Sequence, residues 1–336
     1  MKSQALKQLI IGGLFFTCVL SPAQQKPMYI DGFAQGTSYH ISYYDLKGRF
    51  LKKEVDSILH DFDLSVSTYN PNSIISKINS NQKKVSLDRY FITCFNKAKE
   101  VWKNTNGTFD PTVYPLVNAW GFGPGKKQKI EQKKIDSILH FVGFNLIELK
   151  GNKIKKKDPR VALDFNAFAQ GYSVDVIAEY LNSLGIVSYI VEIGGEVYAQ
   201  GQQSDKENWK IGIEEPIENK TETNPFIITL KLDGMAVATS GNYRKFTIED
   251  GVKYAHHIDP KTGYPTKNNL LSASIFSKRG IDSDANATGI LVMGLEKAKI
   301  FLKAHPELQA YLIYSDEKGN YQTYQTEGIA SLVVKE

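Results

Sequence analysis

Apolar residues recur along this chain in two rhythms, every second position and every third to fourth, and their order predicts strands interleaved with helices. Residues 29–44 alternate around Gly36, as in FAQGTSYHISYY, which predicts a strand pair or one bent strand. Helical spacing follows over residues 51–62, with Val55, Ile58, Leu59 and Phe62 on one stripe. It returns over residues 87–104, with Phe91, Phe95, Ala98 and Val101 inward. Between these helices Tyr69-Asn70-Pro71-Asn72-Ser73 is a turn, and Asn72 or Ser73 is a natural cap for a short helix. Tyr69 reads more readily as a core aromatic than as a ring for a ligand. Residues 106–124 carry too many prolines and glycines for one long element, so they form a shaped loop with a short helix begun at Asp110-Pro111. Long shaped loops are usually functional. Trp120 and Phe122 fit simple apolar packing; Thr108-Phe109-Asp110 fits it less well.

The stretch LDFNAFAQGYSVD, residues 163–175, joins the end of a buried strand at Val161-Ala162-Leu163 to a helix carrying Val174, Ile177, Ala178 and Leu181 inward. Free N–H groups in the first turn of that helix suit an anionic ligand. Asp164, at the strand exit, can accept hydrogens from a ligand, yet Asp164 and Asn166 are equally good helix caps. Further on, residues 188–201 read as strand, Gly194-Gly195 turn and strand, and residues 208–216 and 226–232 as further strands. The runs 236–246 and 254–265 are strand-like with polar interruptions, and Asp259 to Gly263 is a turn by its residues. In a strand the adjacent His256 and His257 face opposite ways. In residues 281–298, Asp282 or Ser283 can cap a helix that places Asp284 and Thr288 on one face, one turn apart. Such oxygens suit Mg²⁺, although a carboxylate near a helix start is favoured by the dipole alone.

At 336 residues and 42% hydrophobic content the chain can bury a large core, and the absence of repeats or linker-like runs favours one unit. A net charge of +5 and lysines grouped in polar stretches without interleaved aromatics argue against a nucleic-acid track. No zinc-spaced Cys/His cluster, P-loop or GxGxxG fingerprint occurs. The N-terminus reads as an export signal over residues 1–23: Lys2 and Lys7, an apolar run from Leu9 to Leu20, then Ser21-Pro22-Ala23. Cys18 offers the alternative of a lipid-anchored protein. Cleavage after Ala23 leaves Cys94 as the sole cysteine and hence no intramolecular disulfide.

Taken in order, QGT, LSVSTYNPNS, GTFDPTVYPLVNAWGFG, LDFNAFAQGYSVD, VEIGGE, ATSGNYRKF, HHIDPKTGYP and DSDANAT resemble the ApbE family of FAD:protein FMN transferases from about Met28 to Tyr314, within a domain expected to span residues 28–336. The resemblance implies an α+β fold with a mixed, largely antiparallel sheet and an exported or membrane-attached protein. The implied reaction uses Mg²⁺ to cleave FAD, releasing AMP and joining FMN to a Ser or Thr of an exported or membrane redox protein. It further implies flavin contacts at Gln35, Tyr69, Thr108, Phe109, Asp110, Asp164 and Gln170. Metal ligation falls on Ala167, Asp284, Ala287 and Thr288, the alanines through their carbonyls, and proton acceptance on His256. Gln35, Thr108 and Gln170 depart from the residues most common in the family. Two other functions are compatible with the same residues, a metal-dependent FAD pyrophosphatase and an exported flavin-binding protein without turnover; Asp284, Thr288 and His256 weigh against mere binding.

Overall fold

Two consecutive residues with positive φ, Gln35 at 53° and Gly36 at 75°, turn β1 (Met28–Ala34) into β2 (Thr37–Tyr43), so the first alternating run is a hairpin rather than a bent strand. The computed structural model describes residues 26–125, 129–203, 207–214, 226–242, 246–249 and 252–334. The expected signal segment with Cys18, Lys126-Lys127 and Tyr243-Arg244-Lys245 lie outside the described residues.

Helices α1 (Lys52–Val66), α2 (Ile74–Asn79) and α3 (Arg89–Asn104) follow the hairpin. Each forms where its apolar stripe recurs, and α2 and α3 begin at side-chain caps: Ser76 N–H donates to Ser73 Oγ, and Phe91 N–H to Asp88. Then come α4 (Tyr114–Trp120), α5 (Gln132–Leu139), the short strands β3 (Ile147–Leu149) and β4 (Ile154–Lys156), and α6 (Ala169–Ser183). Strands β5 (Tyr189–Ile193), β6 (Glu196–Gln200), β7 (Trp209–Glu214), β8 (Phe226–Leu232), β9 (Met235–Gly241), β10 (Phe246–Glu249), β11 (Val252–Ala255) and β12 (Leu270–Ser277) precede α7 (Gly280–Met293) and α8 (Leu295–Ala304). The chain returns through β13 (Gln309–Ser315) and β14 (Tyr321–Gln325).

Eight strands form one sheet in the order β1-β2-β5-β6-β9-β12-β13-β14, and every pairing among the described strands is antiparallel. The fold is therefore α+β with a largely antiparallel sheet, as expected. Alternation along the strands gives the sheet two apolar faces. On one, Tyr39, Ile41 and Val191 pack against α1 and α6, while Ala273, Ala310 and Leu312 pack against α7 and α8. On the other, Val197, Val237 and Ile313 lie under the β7–β8 hairpin.

Three local expectations fail, two because side chains from distant segments do work assigned to neighbours and one because a tighter local turn forms instead. Residues 161–163 form no strand; the Asn79 side chain accepts from Leu163 N–H and donates to Leu163 C=O, both at 2.8 Å, as a strand neighbour would. Asp164 and Asn166 do not cap α6, whose first residue follows Phe168; the Asp164 carboxylate instead accepts from Asn166 N–H at 2.8 Å in a tight turn. Neither Asp282 nor Ser283 caps α7; Gly280 and Ile281 N–H donate to Asp175 of α6 at 2.6 and 3.1 Å.

Candidate functional site

Helices α6 and α7 meet at two glycines. A Cβ on Gly171 would lie 2.3 Å from the Gly280 carbonyl oxygen, and one on Gly280 would lie 2.1 Å from that of Gly171, so only glycine permits this crossing. The contact brings the first turn of α6, with Ala169 and Gln170, and Asp284 of α7 to the rim of a cavity of about 1360 Å³. Small-molecule pockets commonly run to roughly 300–1,000 Å³, so this space suits a dinucleotide with room beside it.

One wall belongs to α7. Asp284, buried, accepts from Gly171 N–H through Oδ2 at 2.8 Å. That N–H is one of those expected to hold an anion, and the protein's own carboxylate takes it. Thr288 Oγ1 donates to the Ala167 carbonyl at 3.2 Å and lies 3.1 Å from Ser240 Oγ. Asp284, Thr288 and Ala167, the first two paired by helical spacing and the third implied by the family resemblance, all border the cavity. Ala287 does not border it: its methyl group is buried among Ile290, Leu291 and the β12–β13 side chains. Burial, opposed by the Gly171 hydrogen bond and reinforced by the charge of Asp175, pushes the Asp284 carboxyl up to about 7. A buried carboxylate of raised pKa, a hydroxyl and a main-chain carbonyl make an oxygen-only donor set that fits a hard cation with few protein ligands. Among the described residues no group of three or more His, Cys, Asp or Glu could hold a metal, so any cation here rests on that mixed set.

The opposite wall is aromatic and acidic. Tyr69 is 61% exposed and borders the cavity, which corrects its reading as a core residue. Burial pushes the Asp164 carboxyl up to about 6 and raises the Tyr69 and Tyr114 phenols, to which the Asp164 charge adds a smaller push. Phe109 is buried edge-on to Phe168 with ring centroids 5.5 Å apart, and Thr108 Oγ1 donates to the Gly289 carbonyl at 3.2 Å. Asp110 builds this wall before it meets any ligand. Its carboxylate accepts from Thr112 N–H at 2.8 Å, Thr112 Oγ1 at 2.6 Å and Phe144 N–H at 3.0 Å.

At the hairpin end, Gln170 lies against Gly194, where a Cβ would come within 2.6 Å of its Nε2. Gln35 Oε1 accepts from Ser173 Oγ at 3.4 Å, while its Nε2 is buried with no hydrogen-bond partner among the described residues, a donor available to a ligand. The histidines differ from expectation. Strand β11 ends at Ala255, so His256 and His257 lie in a bend, their rings 3.9 Å apart, and both border the cavity. The opposite-face rule holds only inside a strand. His257 Nδ1 lies 3.0 Å from Asn242 Oδ1, and the His256 ring is edge-on to Phe122.

Sequence reasoning missed Ser240 and Asp175. Ser240 stood inside the quoted ATSG motif with no role attached. Asp175 had a signal of its own, a carboxylate set directly among Val174, Val176 and Ile177 in the apolar stretch of its helix.

The ApbE family model matches residues 35–312. The FAD:protein FMN transferase of Vibrio cholerae serotype O1 is 33% identical over 304 residues, covering 88% of this chain and 90% of that protein. Its namesake in Haemophilus influenzae is 33% identical over 332 residues, covering 94% and 95%. Among solved structures, flavin transferase ApbE from Vibrio cholerae superposes with a TM-score of 0.83 at 30% identity, covering 92% of this chain and 99% of that one. Pseudomonas stutzeri flavinyl transferase ApbE in its apo form gives 0.81 at 29% identity, covering 92% and 97%.

Proposed function

The chain belongs to the ApbE family and is an enzyme of that transferase type, and from this premise we propose that it is a Mg²⁺-dependent FAD:protein FMN transferase. It cleaves FAD, releases AMP and leaves FMN in phosphoester linkage on a Ser or Thr of an exported or membrane redox protein. The observation that carries the reading is the convergence of Asp284, Thr288 and the Ala167 carbonyl on one wall of a cavity whose other wall holds Tyr69 and Asp164.

Asp284, Thr288 and the carbonyl of Ala167 would hold the cation; Ala287, which the family resemblance also implies, lies away from the cavity and would contribute only through its main-chain carbonyl. When bound, Mg²⁺ supplies charge withdrawal from the diphosphate oxygens, worth several kcal/mol as the phosphate leaving group departs. The exposed Tyr69 ring offers a face for the isoalloxazine, and Asp164, Gln35 and Gln170 offer hydrogen-bond partners around it. Thr108, Phe109 and Asp110 shape the same wall. His256 accepts the proton of the acceptor hydroxyl. That oxygen bonds the phosphorus of the FMN half while the bond from phosphorus to the AMP oxygen breaks. The room this cavity leaves beside a dinucleotide would admit an extended acceptor segment, whose bound hydroxyl outcompetes water by effective concentration.

Residues 1–23, read as an export signal, would direct the enzyme to the periplasm or to the outer face of a bacterial membrane, Cys18 offering lipid attachment in place of cleavage after Ala23. Among the described residues no helix is long and apolar enough to cross a membrane. Mass spectrometry of envelope redox proteins incubated with enzyme, FAD and Mg²⁺ tests the proposal. The expected result is an FMN adduct on Ser or Thr together with stoichiometric AMP. AMP released at an undiminished rate with no protein modified would replace transfer by FAD pyrophosphatase activity.

A further inference from the structure

The two helices at the Gly171–Gly280 crossing cap each other. Asp284 of α7 accepts from Gly171 N–H in the first turn of α6, and Asp175 of α6 accepts from Gly280 and Ile281 N–H in the first turn of α7. Helix α7 has no side-chain cap of its own. Asp175 is 4% exposed and does not border the cavity, so no substrate atom reaches it. Its two oxygens each hold a different N–H of the turn that immediately precedes Asp284. A single acceptor would leave that turn free to rotate about the remaining bond; two fix its orientation. Since Asp284 and Thr288 sit one and two turns further along the same helix, the rotation of α7 decides whether both oxygens face the Ala167 carbonyl. A helix-capping Asp needs only a helix end. This one is buried in the middle of another helix, at the place where the two backbones touch.

We propose that Asp175 is a positioning residue for the cation site: by holding the first turn of α7 through both carboxylate oxygens, it sets the geometry in which Asp284 and Thr288 bind Mg²⁺. The inference rests on the reading of Asp284 and Thr288 as cation ligands, and its test separates the two. Mg²⁺ is titrated calorimetrically into the full chain, and the Mg²⁺ dependence of AMP release from FAD is measured beside it. Asp175→Asn keeps one acceptor and presents an amide N–H to a backbone N–H. It is expected to retain a native circular dichroism spectrum, to weaken Mg²⁺ binding about tenfold and to raise the half-saturating Mg²⁺ by the same factor. At saturating Mg²⁺ its kcat returns to within about twofold of the parent and its KM for FAD is unchanged. Asp175→Glu, which keeps both oxygens but moves them by one methylene, is expected to fall between the two. It provides the same readout if Asp175→Asn fails to fold. Weaker thermal stability with unchanged Mg²⁺ affinity in these variants would reduce Asp175 to a helix cap and overturn the inference. Absence of Mg²⁺ binding by the parent chain, or binding untouched by Asp284→Asn, would instead overturn the cation assignment on which it rests.

Discussion

Replacing Asp284 by Asn should remove Mg²⁺-dependent turnover and, in metal-free protein, raise stability. The carboxyl is buried and its pKa stands near 7 against an ordinary 3.8, because desolvation outweighs the one hydrogen bond from Gly171 and Asp175 adds its own charge. A group whose pKa is raised on folding favours the native state only while it is protonated. Its contribution is complete below about pH 4 and is lost as pH climbs through 7. At roughly 1.4 kcal/mol per tenfold change in proton affinity, ionising this carboxyl at pH 8 costs on the order of a few kcal/mol. Asparagine carries no charge and its Oδ1 can still accept from Gly171 N–H, so the capping bond survives. Since part of the cost is shared with Asp175, we expect a net gain of about 2 kcal/mol at pH 8, a rise of several degrees in Tm for a domain of this size. The gain should fall to less than half near pH 5, vanish below about pH 4, and shrink when Mg²⁺ is added to the parent protein, whose buried charge the cation offsets. Thermal unfolding at pH 5 and 8, with EDTA or with Mg²⁺, alongside AMP release, provides the assay. Loss of stability in Asp284→Asn at pH 8 with EDTA, or turnover at the parent rate, would refute the account of this carboxylate.

The remaining expectations address the other walls of the cavity. His256→Ala should slow FMN transfer about a hundredfold with little change in FAD affinity, whereas His257→Ala should cost about tenfold, since loss of its ring contact and of the link to Asn242 frees the neighbouring imidazole; single-turnover rates beside FAD titrations measure both. Tyr69→Ala should leave Tm unchanged, because the ring is largely exposed, and weaken FAD binding about tenfold, the worth of a ring stack, as read by flavin fluorescence. At limiting Mg²⁺, turnover should rise with pH through about 7, as the Asp284 carboxyl ionises, and level off above it, and excess Mg²⁺ should shift that rise to lower pH. Gly171→Ala should cost about 3 kcal/mol or more, since its Cβ would stand 2.3 Å from the Gly280 carbonyl oxygen; soluble yield and denaturant midpoints report it.

Periodicity made the helices and hairpins legible because the forces that form them are local. The stripe of Val55, Leu59 and Phe62 is buried as its spacing requires, Ser73 caps the helix it precedes, and Gln35-Gly36 has the positive φ pair that a two-residue hairpin needs. Errors fall where a segment borrows its hydrogen bonds from far along the chain. Leu163 lies 84 positions from the Asn79 side chain that pins it, and Gly280 lies 105 positions from the Asp175 carboxylate that caps its helix. No window of local sequence contains both partners. A run of apolar residues such as Val161-Ala162-Leu163 announces burial correctly and leaves open whether a strand or a side chain supplies the partner.

The site divides in the same way. Asp284 and Thr288 could be paired from sequence because four residues of helix place them on one face, and the structure keeps them there with the Ala167 carbonyl beside Thr288. His256 and His257 could not be assigned faces, since alternation is a property of the paired backbone and the ladder between β10 and β11 ends at Ala255. Past that residue the turn from Asp259 to Gly263 directs the chain, with Gly263 N–H closing onto the Asp259 carbonyl at 2.8 Å, and the two rings are brought side by side. A proton acceptor held in this way depends on its neighbour for orientation. Substitution of either imidazole therefore perturbs the other, and only the partition between transfer rate and flavin affinity distinguishes the ring that takes the proton from the ring that supports it.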